Sequence, residues 1–316
     1  MRPRGPLLAA LALALACAAA PAPRAPPGPA GAGERAHALL LRLVADFPRA
    51  LGDPRRGDAL DRLALELRRR GANDVTALDH RGHDPWTGRA YDLRTLIADV
   101  RPHAPRRLIL ATHLDTRPWA EEDPDPARRG DPIPGANDGT SGLAVVLTLM
   151  PLLVDQLPLD HGLSVVLFDG EELGRPPAEG YLHGSRALAD ALRAGRFPHL
   201  RRARYAVVLD MVGARDLRLV LDPASRAAAP WLLDALWREG AAAGYPDVFP
   251  PAPEVRPIID DHRPLIDAGV PAVVLLDPHY PAWHTHADAV DRVSARSLGA
   301  VGEAVRRAVL ALARAP

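Results

Sequence analysis

Residues 163–174 read LSVVLFDGEELG. Leu163, Val165, Val166, Leu167 and Phe168 form a short apolar, β-branched run of the kind that makes a strand buried on both faces. That strand runs directly into Asp169, Gly170, Glu171 and Glu172, so buried sheet delivers two adjacent carboxylates to its own C-terminal end. In open α/β sheets the loops leaving those ends form the ligand crevice. Neighbouring side chains there point different ways, which lets one glutamate bind a metal while the other moves protons. A solvated acidic turn is the plainer explanation of the pair taken alone.

A chain of 316 residues with 47% apolar content suffices for one large α/β domain. Acidic and basic residues balance at 39 each, so no electrostatic footprint for nucleic acid or an anionic membrane is present. Arg2 and Arg4 precede an apolar run, Leu7–Ala20, too short to span a bilayer comfortably, with small residues and Pro behind it. Residues 1–20 are therefore expected to be a secretory signal, residues 21–33 a flexible linker, and residues 34–316 a single catalytic domain of an exported, periplasmic or extracellular protein with no transmembrane span. Cys17 is the only cysteine, which excludes an intrachain disulfide. Its place at the end of the apolar run admits a lipid anchor as well as removal with the signal, although Leu is missing three residues before it.

Outward from the central strand, apolar residues recur at helical spacing over Glu34–Arg70, interrupted by Pro48 and the Gly52–Pro54 turn, and predict two amphipathic helices. Asp74–Leu78 and Tyr91–Val100 read as paired strands separated by a loop, His80–Gly88, and Arg107–Thr112 as a buried strand ending at His113, Leu114 and Asp115. GANDGTSG (Gly135–Gly142) precedes an apolar helix, Leu143–Leu153, for which Thr140 or Ser141 is the expected cap. Tyr181–Ala194 and Trp231–Ala243 read as helices, Ala206–Asp210 and Ala272–Leu276 as buried strands, Leu217–Leu221 as a shorter strand, and Ala295–Ala313 as the closing helix.

Several strands thus end in polar residues: His113 and Asp115, Glu171 and Glu172, Asp210, then Trp283 and His284 after a short loop. Each has an ordinary explanation: a core histidine, a turn aspartate, a strand-end cap. Their joint placement at strand ends is what a sheet-edge metal site requires. Zinc takes imidazole and carboxylate ligands, usually three from protein plus an open position. His113, Asp138, Glu172, Asp210 and His284 suffice for one zinc, or for a pair bridged by Asp138.

HLD (His113–Asp115), GANDGTSG, FDGEE, LDMVG (Leu209–Gly213), DDHRPLIDAGVPAVVLLD (Asp260–Asp277) and WHTHAD (Trp283–Asp288) occur in order. Together they resemble the zinc-dependent aminopeptidase and glutaminyl cyclase superfamily, M28, over essentially the whole chain from Glu34. The resemblance implies a three-layer α/β/α sandwich on a mixed, twisted sheet with the active site at the strand C-terminal ends. Two-zinc aminopeptidases of this type would hold one ion on His113 and Asp210 and the other on Glu172 and His284, with Asp138 bridging. Glutaminyl cyclases are similar but use one zinc, on the equivalents of Asp138, Glu172 and His284.

Three segments resemble the cyclase branch: Asp260–Asp261–His262, Trp283 before His284, and HLDTRPWAEEDPDP (His113–Pro126), similar to bacterial members of the animal-type cyclases. The implied reaction converts an N-terminal Gln of a peptide or protein to pyroglutamate and releases ammonia. Glu171 would be the proton shuttle, Asp260 a hydrogen-bond partner of the leaving nitrogen buttressed by Asp210, and Trp283 a wall of the substrate pocket. Asp115 would orient the His113 imidazole; His286, the rival of His284, would point away, and His262 would be structural. One departure is the stretch Leu173–His183, which lacks the tryptophan that animal cyclases carry there. The alternatives are a two-zinc aminopeptidase and, from another class, a binding protein that kept the fold and lost the reaction.

Overall fold

The computed structural model describes residues 31–175 and 180–315. The expected signal with Cys17 and most of the expected linker lie outside them; the linker's last residues, Ala32 and Gly33, already belong to the first helix. In chain order the elements are α1 (Ala32–Asp46), α2 (Arg56–Arg69), β1 (Asp74–His83), β2 (Ala90–Val100), β3 (Arg106–His113), α3 (Thr140–Gln156), β4 (His161–Phe168), α4 (His183–Arg193), α5 (Pro198–Arg201), β5 (Tyr205–Leu209), α6 (Pro223–Ala228), α7 (Pro230–Ala242), α8 (His262–Asp267), β6 (Ala272–Leu275) and α9 (Ala295–Arg314). No helix among the described residues is long and apolar enough to cross a membrane.

Among the described residues, six strands form one mixed sheet in the order β1-β2-β4-β3-β5-β6. The hairpin β1–β2 joins β4 antiparallel, whereas β4, β3, β5 and β6 run parallel. Side chains alternate across a strand, so each buried strand feeds two cores. Leu108 and Leu110 of β3 join the apolar layer made with α1, α3, α7 and α9, while Ile109 and Ala111 join the layer made with α4, α5 and α8. The result is the expected three-layer α/β/α sandwich. Its four parallel strands bring their C-terminal ends to one edge.

Helix α3 leads from that edge into the core, and every residue from Thr140 to Met150 is buried. Neither Thr140 nor Ser141 caps it. The N-cap is Gly139, at φ 78°, where a side chain would meet the Asp115 carbonyl oxygen at 2.7 Å. The two hydroxyls instead donate backwards, Thr140 Oγ1 to the Gly135 carbonyl and Ser141 Oγ to that of Asn137, so they brace the turn that carries Asp138. The first helix amides, those of Thr140 and Ser141, donate to the Gly135 and Asn137 carbonyls at 3.3 and 3.4 Å, so no hydroxyl cap is needed, and the Asp288 carboxylate takes the amides of Asn137 and Asp138 at 2.8 and 3.0 Å.

Other boundaries moved for local reasons. Strand β1 continues to His83 because its ladder with β2 persists to the pair His83–Ala90, and the turn shrinks to an Asx-type bend in which Asp84 accepts from the Trp86 amide at 2.9 Å. Leu217–Leu221 is no strand. Its amides divide among unrelated partners, Leu219 to Val248, Val220 to Leu276 and Leu221 to Glu254, so only an isolated bridge between Leu221 and Val255 forms. Helix α4 starts at His183, after Leu182 at φ 67°.

Helix α3 comes close to the sheet at Gly142, where an added Cβ would lie 2.3 Å from Thr112 Oγ1 and 2.4 Å from the Leu209 carbonyl oxygen. Gly142→Ala is expected to force α3 off β3 and β5 and to cost about 1–3 kcal/mol, as overpacked cores do. Urea unfolding checks this; an unchanged midpoint would show that the helix has room to move.

Candidate metal centre

Three loops at the parallel strand ends converge. Asp138 comes from the turn before α3, Glu172 from the short 3₁₀ turn after β4, and His284 from the loop after β6, and each offers a ligand atom within 4.8 Å of the others. His284 Nε2 lies 3.6 Å from Glu172 Oε2 and 3.8 Å from Asp138 Oδ2. All three side chains are buried. Glu172 Oε1 is enclosed without a hydrogen-bond partner among the described residues. Burial and the facing Asp138 push the Glu172 carboxyl up to about 8. An orphaned carboxylate oxygen, a second carboxylate and an imidazole nitrogen make the donor set that zinc prefers, and a divalent cation there would relieve the repulsion.

His113, Asp138 and Asp210 form an adjoining trio. His113 Nε2 sits 3.0 Å from Asp210 Oδ1 and 3.3 Å from Asp138 Oδ1, so Asp138 stands between the two histidines. Asp115 Oδ1 lies 3.8 Å from His113 Nδ1. Its hydrogen bonds go to the backbone amides of Glu171 and Glu172, at 3.3 and 3.0 Å, which fixes the turn presenting the glutamate pair.

Residues 95–309 match peptidase family M28. The chain belongs to this family. It is 29% identical over 234 residues to the glutaminyl-peptide cyclotransferase of Gloydius blomhoffii, with 65% of this chain aligned, and it spans 61% of that relative's length. The crystal structure of Porphyromonas gingivalis glutaminyl cyclase is similar at a TM-score of 0.79 and 31% identity, over 88% of this chain and 97% of that one. A Zn-dependent exopeptidase from Parabacteroides distasonis is similar at a TM-score of 0.79 and 26% identity, over 90% and 98% of the two chains.

In this M28 chain the candidate trio borders a cavity of about 410 Å³ that also receives Glu171, Tyr181, Asp210, Asp260, Ile259 and Trp283. Burial, the adjoining Glu172 and the nearby Asp261 and Asp260 raise the Glu171 carboxyl well above its usual range, against the opposing pull of His113. Asp260 is raised likewise by burial, Asp210 and Asp261. The Trp283 ring stacks on the His284 imidazole with centroids 3.6 Å apart and planes inclined by 25°, and it keeps 39% of its surface open. Tyr181, from the stretch that lacks tryptophan, also lines this cavity. His286 is occupied elsewhere, with its amide and Nδ1 at 2.9 and 2.8 Å from Asp123, and His262 Nε2 pairs with Asp222 at 3.0 Å. A larger cleft, about 530 Å³, lies between α2 and the β1–β2 hairpin, but its Arg56 is paired with Asp169 and its Arg94 with Asp61 and Asp79.

Sequence reasoning missed four supporting residues. Asp169, buried beside the glutamates, pairs with Arg56, and burial pushes its carboxyl up to about 6. Asp288 holds the Asp138 turn and accepts from the Tyr280 hydroxyl at 2.7 Å. Arg117, fully buried, donates from Nη1 to Glu172 Oε2 at 3.1 Å and from Nε to Glu121 Oε2 at 2.8 Å. Glu121 Oε1 meets His284 Nδ1 at 2.7 Å. No local pattern marks Asp169 or Asp288, and Arg117 and Glu121 are set apart only by lying inside an already distinctive loop.

Burial works against ionisation of Glu121, but the hydrogen bonds from His284 and Arg117 outweigh it and bring its carboxyl from 4.5 down to about 2. Ionised Glu121 therefore stabilises the fold above the ordinary glutamate range, and that contribution is lost as the pH falls through the range toward 2. Acid denaturation of the metal-free protein, followed by circular dichroism, is expected to be less steep over this interval in Glu121→Gln than in the wild type. Superimposable curves would contradict the assignment.

Proposed function

We propose that the chain is a zinc-dependent glutaminyl-peptide cyclotransferase, an acyltransferase that holds one zinc ion on Asp138, Glu172 and His284 and converts N-terminal Gln to pyroglutamate. The observation that carries this reading is the cavity lining, which sets three further carboxyl groups, Glu171, Asp210 and Asp260, and the Trp283 indole around the Asp138–Glu172–His284 trio. Similarity to proteins named as cyclases supports it. Both reacting groups belong to one residue, so the site gains more from charge stabilisation and proton transfer than from bringing reactants together. Zinc would supply Lewis-acid polarisation of the side-chain carbonyl.

Glu171 accepts the proton released by the attacking α-amine and returns it to the departing nitrogen. Its raised pKa makes it the stronger base, and although its carboxylate also lies within ligand distance of His113 and Glu172, it stands outside the Asp138–Glu172–His284 trio and is free to shuttle. Asp260 accepts a hydrogen bond from that nitrogen, and the Asp210 carboxylate beside it completes the acidic wall. Trp283 covers the substrate side chain and excludes water, which matters because the competing outcome is hydrolysis.

A second reading, a two-zinc aminopeptidase, is favoured by the His113–Asp138–Asp210 trio, which could seat another ion. Glu171 would then activate water against the scissile peptide bond. Incubation with a Gln-initiated peptide and with a Leu-anilide separates the two. Ammonia release with an otherwise intact peptide is expected from the first, and free amino acid from the second would sink the cyclase reading. Glu171→Gln is expected to lower kcat by roughly 10²–10⁴-fold, the usual worth of a proton shuttle, with zinc content unchanged. Zinc loss in that variant would mean that the two glutamates have exchanged roles.

A further inference from the structure

The loop between β3 and α3 docks onto the loop that carries His284. The Glu122 amide donates to the His284 carbonyl oxygen at 3.3 Å, Asp123 takes the His286 amide and ring, and Glu121 Oε1 takes His284 Nδ1 at 2.7 Å. His284 needs such holding. Its φ of 54° places a residue with a side chain in the left-handed region, at a cost of roughly 1–2 kcal/mol. Neither Glu121 nor Arg117 is among the residues lining the cavity, so neither meets substrate there.

Glu121 is itself fixed. The buried Arg117 guanidinium grips both its carboxylate oxygens and donates to the Gly174 carbonyl at 2.9 Å and to the Glu172 carbonyl and carboxylate at 3.1 Å. One cation thus ties the partner of one metal-binding side chain to the backbone and side chain of another. A carboxylate at Nδ1 keeps the imidazole hydrogen on that nitrogen, which leaves the lone pair on Nε2, the atom facing Glu172 and Asp138.

We propose that Glu121, clamped by Arg117, is the positioning residue of His284: it fixes the ring's tautomer and rotation so that Nε2 is presented to the metal. This rests on the reading of His284 as a ligand. Carboxylate partners of this kind raise ligand basicity, and their loss typically weakens metal binding about 10- to 100-fold. Nothing in the role requires Glu121 to touch substrate.

Zinc affinity, measured on the full chain by competition with a chromogenic chelator, tests the proposal without recourse to turnover. Glu121→Ala is expected to bind zinc about 10- to 100-fold more weakly than the wild type. Glu121→Gln, whose amide oxygen still accepts from Nδ1–H, should recover most of that loss, and Asp123→Ala, which frees His286 but not His284, should cause little. Affinity of Glu121→Ala within about twofold of the wild type, while His284→Ala loses zinc, overturns this inference alone. Equal losses in Asp123→Ala and Glu121→Ala also overturn it, because loop docking and not the carboxylate would then matter. A wild type that binds no zinc, or a His284→Ala variant that binds it normally, overturns the ligand reading instead. Should Glu121→Ala fail to fold, ¹⁵N–¹H correlation of the imidazoles in zinc-loaded wild type still decides: Nδ1–H with ligated Nε2 at His284 is expected, and ligated Nδ1 contradicts it.

Discussion

The structure is governed by the concentration of carboxylates at one buried sheet edge. Asp115, Asp138, Asp169, Glu172, Asp260 and Asp261 are all buried there, and an ionised carboxylate out of water is costly unless charge or hydrogen bonds answer it. Several acids at this edge are answered locally. Arg56 meets Asp169, backbone amides meet Asp115, His113 meets Asp210, and Arg117 meets Glu172 and Glu121. Asp260 and Asp261 stay raised, with both Asp261 oxygens unpartnered among the described residues, and where the loops meet stands the Asp138–Glu172–His284 trio, with one carboxylate oxygen of Glu172 unpartnered and its carboxyl raised. A divalent cation is the group that such a trio fits.

The sheet creates this situation by topology. Parallel strands β4, β3, β5 and β6 end on one side, and each loop that leaves them contributes an acid or an imidazole. The tight seating of α3 at Gly142 then fixes the turn that holds Asp138, and Asp288 binds that turn from the far end of the chain. Apolar packing and the site are therefore one construction. A shift of α3 would move a candidate ligand.

Much of this was legible in the sequence because it depends on local periodicity. The strand Leu163–Phe168, the helix over Leu143–Leu153 and the closing helix follow from apolar spacing alone, and the candidate trio was singled out by the resemblance that its motifs carry. Local cues also existed for α6, where Asp222 and Pro223 form an N-cap and first-turn pair, but the six-residue element is too short for periodicity to reveal. Leu217–Leu221 has the composition of a strand and lacks only a continuous partner, which no single-chain pattern can supply.

The supporting residues were illegible for a different reason. Glu121 and His284 are 163 positions apart, and Asp288 and Asp138 are 150 apart, so their pairing is a property of the packed sheet and not of any window of sequence. The HLDTRPWAEEDPDP loop was legible as distinctive, but the work of Arg117 and Glu121 within it emerges only when that loop meets the last one.

The most direct measurement of the central account is zinc content per chain, by elemental analysis after equilibration with excess zinc and gel filtration. One ion per chain is predicted, held where the unpartnered Glu172 oxygen faces Asp138 and His284. Retention of two ions per chain, or of none, would contradict it.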